Sequence, residues 1–430
     1  MTTKRLIVAG AAAALTAAAL LLGGVLTDGS APEARAVPLA SGLAETDGAL
    51  LPRLQQQVRA NPTDARGLGL LGLAYQQRAR ETGDPTYYTK SEGVLLRALR
   101  YAPNDLVATS GLGALALSRH RFHEALVLGR RAVGLSPSTA RGYGAVGDAR
   151  LELGRYRGAF AAFDRMVSLK PSLSSYARVS YARELIGDLR GAAAAMRLAI
   201  DAAVGQPEAL AWSHTQLGKL FWSQGRIVAA EREYRTALAV RRGYVYALDA
   251  LAQVDSARGR IRQAIALERR AVDGIPLPQF VAALGDLYRV TGKKVAGRRQ
   301  YALIGAIQKL LRANGVKTDL ETALFDVDHA IRLPQALGLA RAAYVERPSI
   351  DGDDVLAWAL ARNHRCDEAL HHSKRALRLG TLDATKFFHR GMIERCLGRG
   401  AEAKIWFRRA LTLNPHFSLL WAPVAQRYAA

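Results

Sequence analysis

A unit of constant length recurs along most of this chain, and no other feature of the sequence restricts the possible folds as strongly. In residues 106–139, Leu112-Gly113 is followed by Ala125, Ala132 and a closing Pro137. The same offsets return as Val146-Gly147, Ala159, Phe163, Met166 and Pro171, and near the C-terminus as Gly391, Gly398, Ala403, Phe407, Ala410 and Pro415. Such a fixed period predicts a stack of similar supersecondary units.

The residue types within each unit indicate its secondary structure. Small residues at fixed positions let two helix axes approach closely, and larger apolar residues on the same faces fill the space beside them. Proline ends the second helix, because it has no amide hydrogen and clashes with the preceding turn. The β-branched residues form no alternating runs, so no strand is predicted. Each unit is therefore a helical hairpin whose apolar face the next hairpin covers.

These residues resemble the tetratricopeptide-repeat pattern of small residues where helices cross, aromatic residues between them and a terminal proline. The resemblance implies an all-α fold, a right-handed α-solenoid of about ten helix-turn-helix repeats with capping helices at both ends. The motif order is also similar to that of exported repeat proteins of high-GC, actinobacterial-type bacteria. The expected repeats are 65–105, 106–139, 140–172, 173–210, 211–244, 245–277, 278–316, 317–349, 350–383 and 384–417.

The repeats differ in how well they keep the pattern. Arg242 replaces the closing proline of the fifth repeat, and the eighth repeat, residues 317–349, lacks the glycine where helices cross. Glu81–Lys90 is expected to be an inserted loop, either a tolerated bulge or a contact element. Residues 37–64 are expected to hold a linker and an N-terminal capping helix, 65–417 the solenoid, and 418–430 a C-terminal capping helix.

The N-terminus, residues 1–36, has the organisation of an export signal. A basic start, Met1–Arg5, precedes the uncharged apolar stretch Leu6–Leu26, and Ala34-Arg35-Ala36 offers small residues for signal peptidase, which would make Val37 the mature N-terminus. Export by the Sec route to the envelope or the medium is expected. An apolar stretch of this length also suits an uncleaved N-terminal membrane anchor, and both interpretations stay open.

The net charge of the chain indicates which classes of partner to expect. Lys and Arg number 60 against 37 Asp and Glu, which gives a net charge of +23. Outside the cytoplasm such an excess favours anionic lipid or wall polymers as partners, and nucleic acid is not expected. Solubility alone is the competing explanation. The excess lies mainly on second helices and loops and is expected to form a basic convex face towards the anionic envelope. Its basic pairs are Arg130-Arg131, Arg241-Arg242, Arg269-Arg270, Lys293-Lys294, Arg298-Arg299, Lys374-Arg375 and Arg408-Arg409.

The resemblance further implies that the first helix of each hairpin lines a concave groove that holds a protein or peptide partner. The groove is expected to be mildly acidic and interrupted by aromatic residues, which suits a peptide with apolar and basic side chains. Packing between hairpins is the alternative role for these aromatics. The expected groove residues are Asp148, Glu152, Tyr181, Glu184, Trp212, Lys219, Trp222, Tyr246, Asp249 and Asp286.

Nothing in the sequence predicts catalysis or a cofactor. Two matches to a dinucleotide fingerprint, Gly67–Gly72 and Gly142–Gly147, fall inside first helices and follow no strand, so they indicate helix packing. Cys366 and Cys396 are expected to form a disulfide between adjacent hairpins. Two separate thiols are one alternative. The other is a metal-handling or accessory role in which these cysteines act with His364, His371, His372 and His389.

Overall fold

The structure, a computed structural model, describes residues 50–430. The predicted export signal and the first part of the predicted linker therefore lie outside the described residues. From residue 50 onward the chain forms twenty-two α-helices and no strand. The helices are α1 Leu50–Ala60, α2 Ala65–Thr82, α3 Thr86–Tyr101, α4 Leu106–Ser118, α5 Phe122–Leu135, α6 Ala140–Glu152, α7 Tyr156–Leu169, α8 Leu173–Leu185, α9 Leu189–Asp201, α10 Pro207–Ser223, α11 Ile227–Val240, α12 Val245–Ala257, α13 Ile261–Gly274, α14 Pro278–Val290, α15 Lys294–Ala313, α16 Asp319–Asp328, α17 Leu333–Glu346, α18 Ile350–Arg362, α19 Cys366–Ala376, α20 Ala384–Cys396, α21 Gly400–Leu413 and α22 Ala422–Ala429.

These helices pair into ten hairpins, from α2–α3 to α20–α21, with a single helix before the first and after the last. The predicted fold class is thereby confirmed: the chain is an all-α solenoid of tetratricopeptide type. No helix between residues 50 and 430 is both long and apolar enough to cross a membrane.

One packing contact explains the repeated glycine of the first helices. A Cβ added to Gly147 would lie 2.3 Å from the ring of Phe163, and one added to Gly391 would lie 2.6 Å from the ring of Phe407. Gly218 has the same relationship to Tyr234, and Gly285 to Tyr301, at 2.4 Å each. The glycine therefore makes room for a large side chain of the second helix in the same hairpin.

The expected inserted loop at Glu81–Lys90 is wrong. This segment instead lengthens both helices of the first hairpin, α2 to 18 residues and α3 to 16, against 13 and 14 in the next hairpin. Asp84 accepts a hydrogen bond from the backbone N–H of Thr86 at 2.9 Å, which helps α3 to begin there. The turn between the two helices is thus only residues 83–85. Tyr87 of the inserted segment stacks on Tyr75 of α2, with ring centroids 5.9 Å apart.

The described chain forms two compact units. The first contains the residues up to Leu151, Arg155–Arg178 and Lys309–Lys317. Within it, the turn between α4 and α5 contacts the chain just beyond α15. The N–H of Lys317 donates to the carbonyl of Arg119 at 3.0 Å, and Nδ1 of His120 lies 2.7 Å from the carbonyl oxygen of Lys317.

The second unit contains Glu152–Gly154, Val179–Gln308 and Thr318–Ala430. Here too, turns contact segments far along the chain. The side-chain amide of Asn414 donates to the carbonyl of Trp222 at 2.8 Å across 192 positions. Gly154 and Gly187, with φ of +69° and +79°, face backbone carbonyls of Pro348 and Gly380 so closely that no Cβ fits. Residues nearly two hundred positions apart are therefore neighbours within this unit.

Candidate functional site

Five of the ten predicted groove residues lie together in the second unit. Glu152 ends α6, Tyr181 and Glu184 belong to α8, Lys219 to α10 and Asp249 to α12. Electrostatic interactions link them to one another and to four charged residues later in the chain. We call this set the inner cluster: Glu152, Tyr181, Glu184, Lys219, Asp249, Arg347, Asp351, Asp383 and Lys386.

One part of the inner cluster consists of paired charges. Arg347 donates to Glu152 and, at 3.0 Å, to Glu321. Lys386 donates to Asp351 at 2.7 Å and to Asp383 at 2.9 Å. Burial alone would raise the pKa of Asp351, but Lys386 and Arg347 outweigh it and hold that pKa below its usual value. These charges satisfy one another and keep the surrounding helices in place.

The other part of the inner cluster, which we call the unpaired part, consists of half-buried side chains. Within residues 50–430, no side-chain hydrogen bond reaches Glu184, Lys219 or the hydroxyl of Tyr181. Burial, with the charges of Asp383 and Asp351, raises the pKa of Glu184 to about 7. Burial also lowers the pKa of the Lys219 ammonium. Two donors, the Lys219 ammonium and the Tyr181 hydroxyl, and one acceptor, the Glu184 carboxylate, therefore interact electrostatically without a direct hydrogen bond.

Asp249 and Glu268, which form no ion pair in the described chain, extend the unpaired part. Burial raises the pKa of Asp249 to about 6, and its only side-chain donor in the described chain is the amide of Gln253, at 3.1 Å. Glu268, on α13, is 1% exposed, and its Oε1 has no hydrogen-bond partner there. Burial and the charge of Asp249 raise the pKa of Glu268 well above its usual value.

Sequence reasoning missed Glu268, Arg347 and Lys386. The sequence does contain a signal for Glu268. In the third hairpin the ring of Phe163 follows the small residue Ala159 by four positions, and Glu268 follows Ala264 by the same four. A carboxylate at a position that carries a ring in other repeats is out of place in a packed core. Arg347 lies between two hairpins, and its place beside Glu152 depends on tertiary structure alone.

The remaining predicted groove residues take part in packing and internal pairing. In the first unit, Asp148 accepts three hydrogen bonds from Arg178, at 2.7–3.1 Å. In the second unit, Asp286 accepts from Tyr301 and from His329, Trp212 is buried, and Tyr246 meets the ring of Phe280 edge-on at 5.8 Å. Trp222 is half-buried.

The basic pairs lie on the surface, mostly on second helices, with Arg241, Arg242 and Lys293 in the turns beside them. Arg241 is half-buried and pairs with Glu208 at 3.2 Å. The exposed members are Arg130, Arg131, Arg242, Arg269, Arg270, Lys293, Lys294, Arg298, Arg299, Lys374, Arg375, Arg408 and Arg409. The two compact units thus both carry positive charge on these helices.

The structure joins Cys366 and Cys396 in a disulfide, with their Cα atoms 5.9 Å apart. It links the start of α19 to the end of α20 and so connects adjacent hairpins. His372 pairs with Asp353 at 2.9 Å and His389 with Asp354 at 3.0 Å, while His364 and His371 are exposed. In the part of the chain that the structure describes, no three His, Cys, Asp or Glu residues are grouped as metal ligands.

Hairpins of this length, with glycine against a ring at their crossing, have the packing of a tetratricopeptide-type solenoid. No family model matches the sequence. The chain is 27% identical over 321 residues to cellulose synthase operon protein C of Xanthomonas axonopodis pv. citri (strain 306), covering 74% of this chain and 18% of that protein. It is 34% identical over 85 residues to the Hsp70-Hsp90 organizing protein of Triticum aestivum, covering 20% and 15%.

The chain therefore spans less than a fifth of the length of either relative. Among solved structures, a thermophilic TPR protein of Thermus thermophilus is similar with 21% identity and a TM-score of 0.39, over 45% of this chain and 98% of that one.

Proposed function

We propose that this chain is an extracytoplasmic interaction scaffold that binds a protein or peptide segment at the inner cluster. The observation that carries the proposal is the unpaired part of the cluster, where the half-buried Glu184, Lys219 and Tyr181 accept or donate no side-chain hydrogen bond in the described chain, although neighbouring charges are paired. Half-buried ionisable groups with shifted pKa values and no paired charge are typical of binding sites, so they are a reason to look for a ligand.

The chemistry of these groups indicates what the ligand presents. Glu184 and Asp249 would accept hydrogen bonds from a Lys or Arg side chain, which would draw their raised pKa values back down. The Lys219 ammonium and the Tyr181 hydroxyl would donate to backbone carbonyls. An extended peptide with a basic side chain supplies both kinds of group at once. The limited similarity to an Hsp70-Hsp90 organizing protein is in keeping with a protein partner.

The proposal places the protein outside the cytoplasm because of the export signal expected in residues 1–36. There the exposed basic residues of the second helices would face anionic lipid or wall polymer, while the inner cluster holds the partner. The positive surface and the acidic cluster thus serve different ligands.

Selection from a display library of random short peptides on the purified chain tests the proposal. We expect enriched peptides to carry Lys or Arg beside apolar residues. Glu184→Gln together with Asp249→Asn should weaken their binding by about tenfold or more, since charge-assisted bonds become neutral ones. Glu402→Gln, at an exposed position on α21, is the matched control.

Enrichment of acidic peptides, or equal binding by the double variant and the control, would show that the inner cluster is not the binding site.

A further inference from the structure

The irregular segment between α21 and α22 lies against the first helices of the last repeats. We call residues 417–421 the C-terminal segment. The rings of Phe417 and Trp421 lie 5.6 Å and 5.5 Å from the ring of Phe388 on α20. Trp421 also meets Trp358 of α18 edge-on at 5.6 Å. Two aromatic side chains of the segment therefore sit on two first helices.

A single carboxylate holds the indole of Trp421. Oδ1 of Asp328, at the end of α16, accepts hydrogen bonds from Nε1 of Trp358 at 2.9 Å and from Nε1 of Trp421 at 3.0 Å. Burial raises the pKa of Asp328, and His389 and the two indoles oppose that rise. Of the two hydrogen bonds to this oxygen, the one from Trp421 therefore comes from the C-terminal segment and not from a repeat.

A cation completes the surroundings of the indole. The guanidinium of Arg362 lies over the rings of both Trp358 and Trp421, 5.2 Å and 5.5 Å from their centroids. Such contacts favour an electron-rich indole over an aliphatic side chain. The combination of carboxylate, guanidinium and aromatic walls therefore suits an aromatic side chain with a hydrogen-bond donor, as tryptophan has.

The rest of the segment adds apolar contact. Leu419 packs against a separate apolar cluster of Ala252, Ala264 and Leu287, from α12, α13 and α14. Residues 417–421 carry no charged side chain, and the backbone N–H of Trp421 donates only within the segment, to Ser418 Oγ at 3.2 Å. Trp421 itself is half-buried. The segment, tethered between α21 and α22, thus contacts the repeats through one aromatic anchor and its apolar neighbours, the kind of contact by which short peptides bind.

We propose that Asp328, Trp358, Arg362 and Phe388 form a binding site for a tryptophan-bearing peptide. The C-terminal segment occupies the site as an intramolecular ligand, and a partner with the same chemistry displaces it. This site is separate from the inner cluster and does not depend on the function proposed for that cluster.

The test uses the full chain and a fluorescein-labelled peptide with the sequence of residues 417–424, followed by fluorescence anisotropy. Trp421→Ala empties the site, so we expect it to bind the peptide at least about tenfold more tightly than the wild type, in which the resident indole competes. Trp406→Ala is the matched control, because Trp406 lies on α21 against Phe387, outside the site. Its binding should equal that of the wild type.

Two further changes identify the contact. Adding Asp328→Asn to Trp421→Ala should reduce peptide binding about tenfold, and a peptide with Ala in place of its Trp should not bind. Glu184→Gln should leave binding unchanged, which separates this site from the inner cluster. Trp421→Phe, which keeps the ring but loses the N–H, provides a second variant and should also bind more tightly than the wild type.

Equal affinity of Trp421→Ala and Trp406→Ala in folded protein, or equal binding of the two peptides, would overturn the proposal. Dimerisation of Trp421→Ala through its own C-terminal residues, without peptide binding, would also overturn it.

Discussion

Arg347 forms a buried ion pair with Glu152, a residue that precedes it by 195 positions. The same guanidinium holds Glu321 at 3.0 Å. Arg347 lies between α17 and α18, and Glu152 ends α6, so the pair joins the second unit across much of the sequence.

Arg347→Ala should therefore be strongly destabilising. It leaves the buried carboxylate of Glu152 without its cation, and breaking a buried pair costs about 3–5 kcal/mol. Chemical denaturation followed by circular dichroism measures the loss. Arg341→Ala is the control, since its pair with Glu368 is exposed and 3.7 Å long, and should cost less than about 1 kcal/mol. Equal effects would contradict a structural role for the buried pair.

Glu184 should make the stability of the folded protein depend on pH. Its pKa rises from 4.5 to about 7 on folding, so between these values the folded state holds a proton that the unfolded state has lost. Stability from this group therefore falls as pH rises through that interval. Glu184→Gln removes the effect, and its melting temperature should exceed that of the wild type by a margin that grows from about pH 5 to about pH 8. A constant margin would mean that the pKa is not raised.

Gly147→Ala should destabilise the third hairpin. The added methyl group would lie 2.3 Å from the ring of Phe163, and overpacking of this kind costs about 1–3 kcal/mol. Gly134→Ala is the control on α5, where no atom lies within 4 Å of an added Cβ, and it should stabilise by about 0.4–1 kcal/mol. Thermal denaturation compares the two, and a loss for both variants would point away from the ring contact.

The disulfide between Cys366 and Cys396 closes a loop with a sequence separation of 30. Replacing both cysteines with Ser should cost about 3–4 kcal/mol, mainly by freeing the unfolded chain. Hydrogen exchange should increase most in α19 and α20, while exchange in the first unit stays the same. An unchanged pattern in α19 and α20 would show that hairpin packing alone holds them.

The expected export signal predicts a processed protein. Expression of the whole sequence in a high-GC bacterium, followed by N-terminal sequencing of the extracytoplasmic form, should give Val37 as the first residue. Ala36→Pro should slow this cleavage. Recovery of the uncleaved chain in the membrane fraction would instead support the anchor.

Much of the fold could be predicted from local sequence. Gly147 and Phe163, or Gly391 and Phe407, recur at one spacing because a hairpin's helices pack through residues close in sequence. The inserted segment was harder, since turn formers such as Gly83 and Pro85 suit both a loop and the boundary between two longer helices.

The candidate site was predictable only in part. First-helix positions predicted Glu184 and Lys219, but the same rule also selected Asp148, which Arg178 satisfies within the first unit. Glu268 escaped because it lies on a second helix, where the rule predicts core or exposed surface.

The sequence by itself determined the ten hairpins, because the packing within each depends on neighbouring residues and one repeated spacing. Only the tertiary structure decided that Arg347 meets Glu152 and that Trp421 meets Asp328. Such contacts depend on the small rotation between successive repeats, which accumulates over several hairpins and leaves no motif in any one of them.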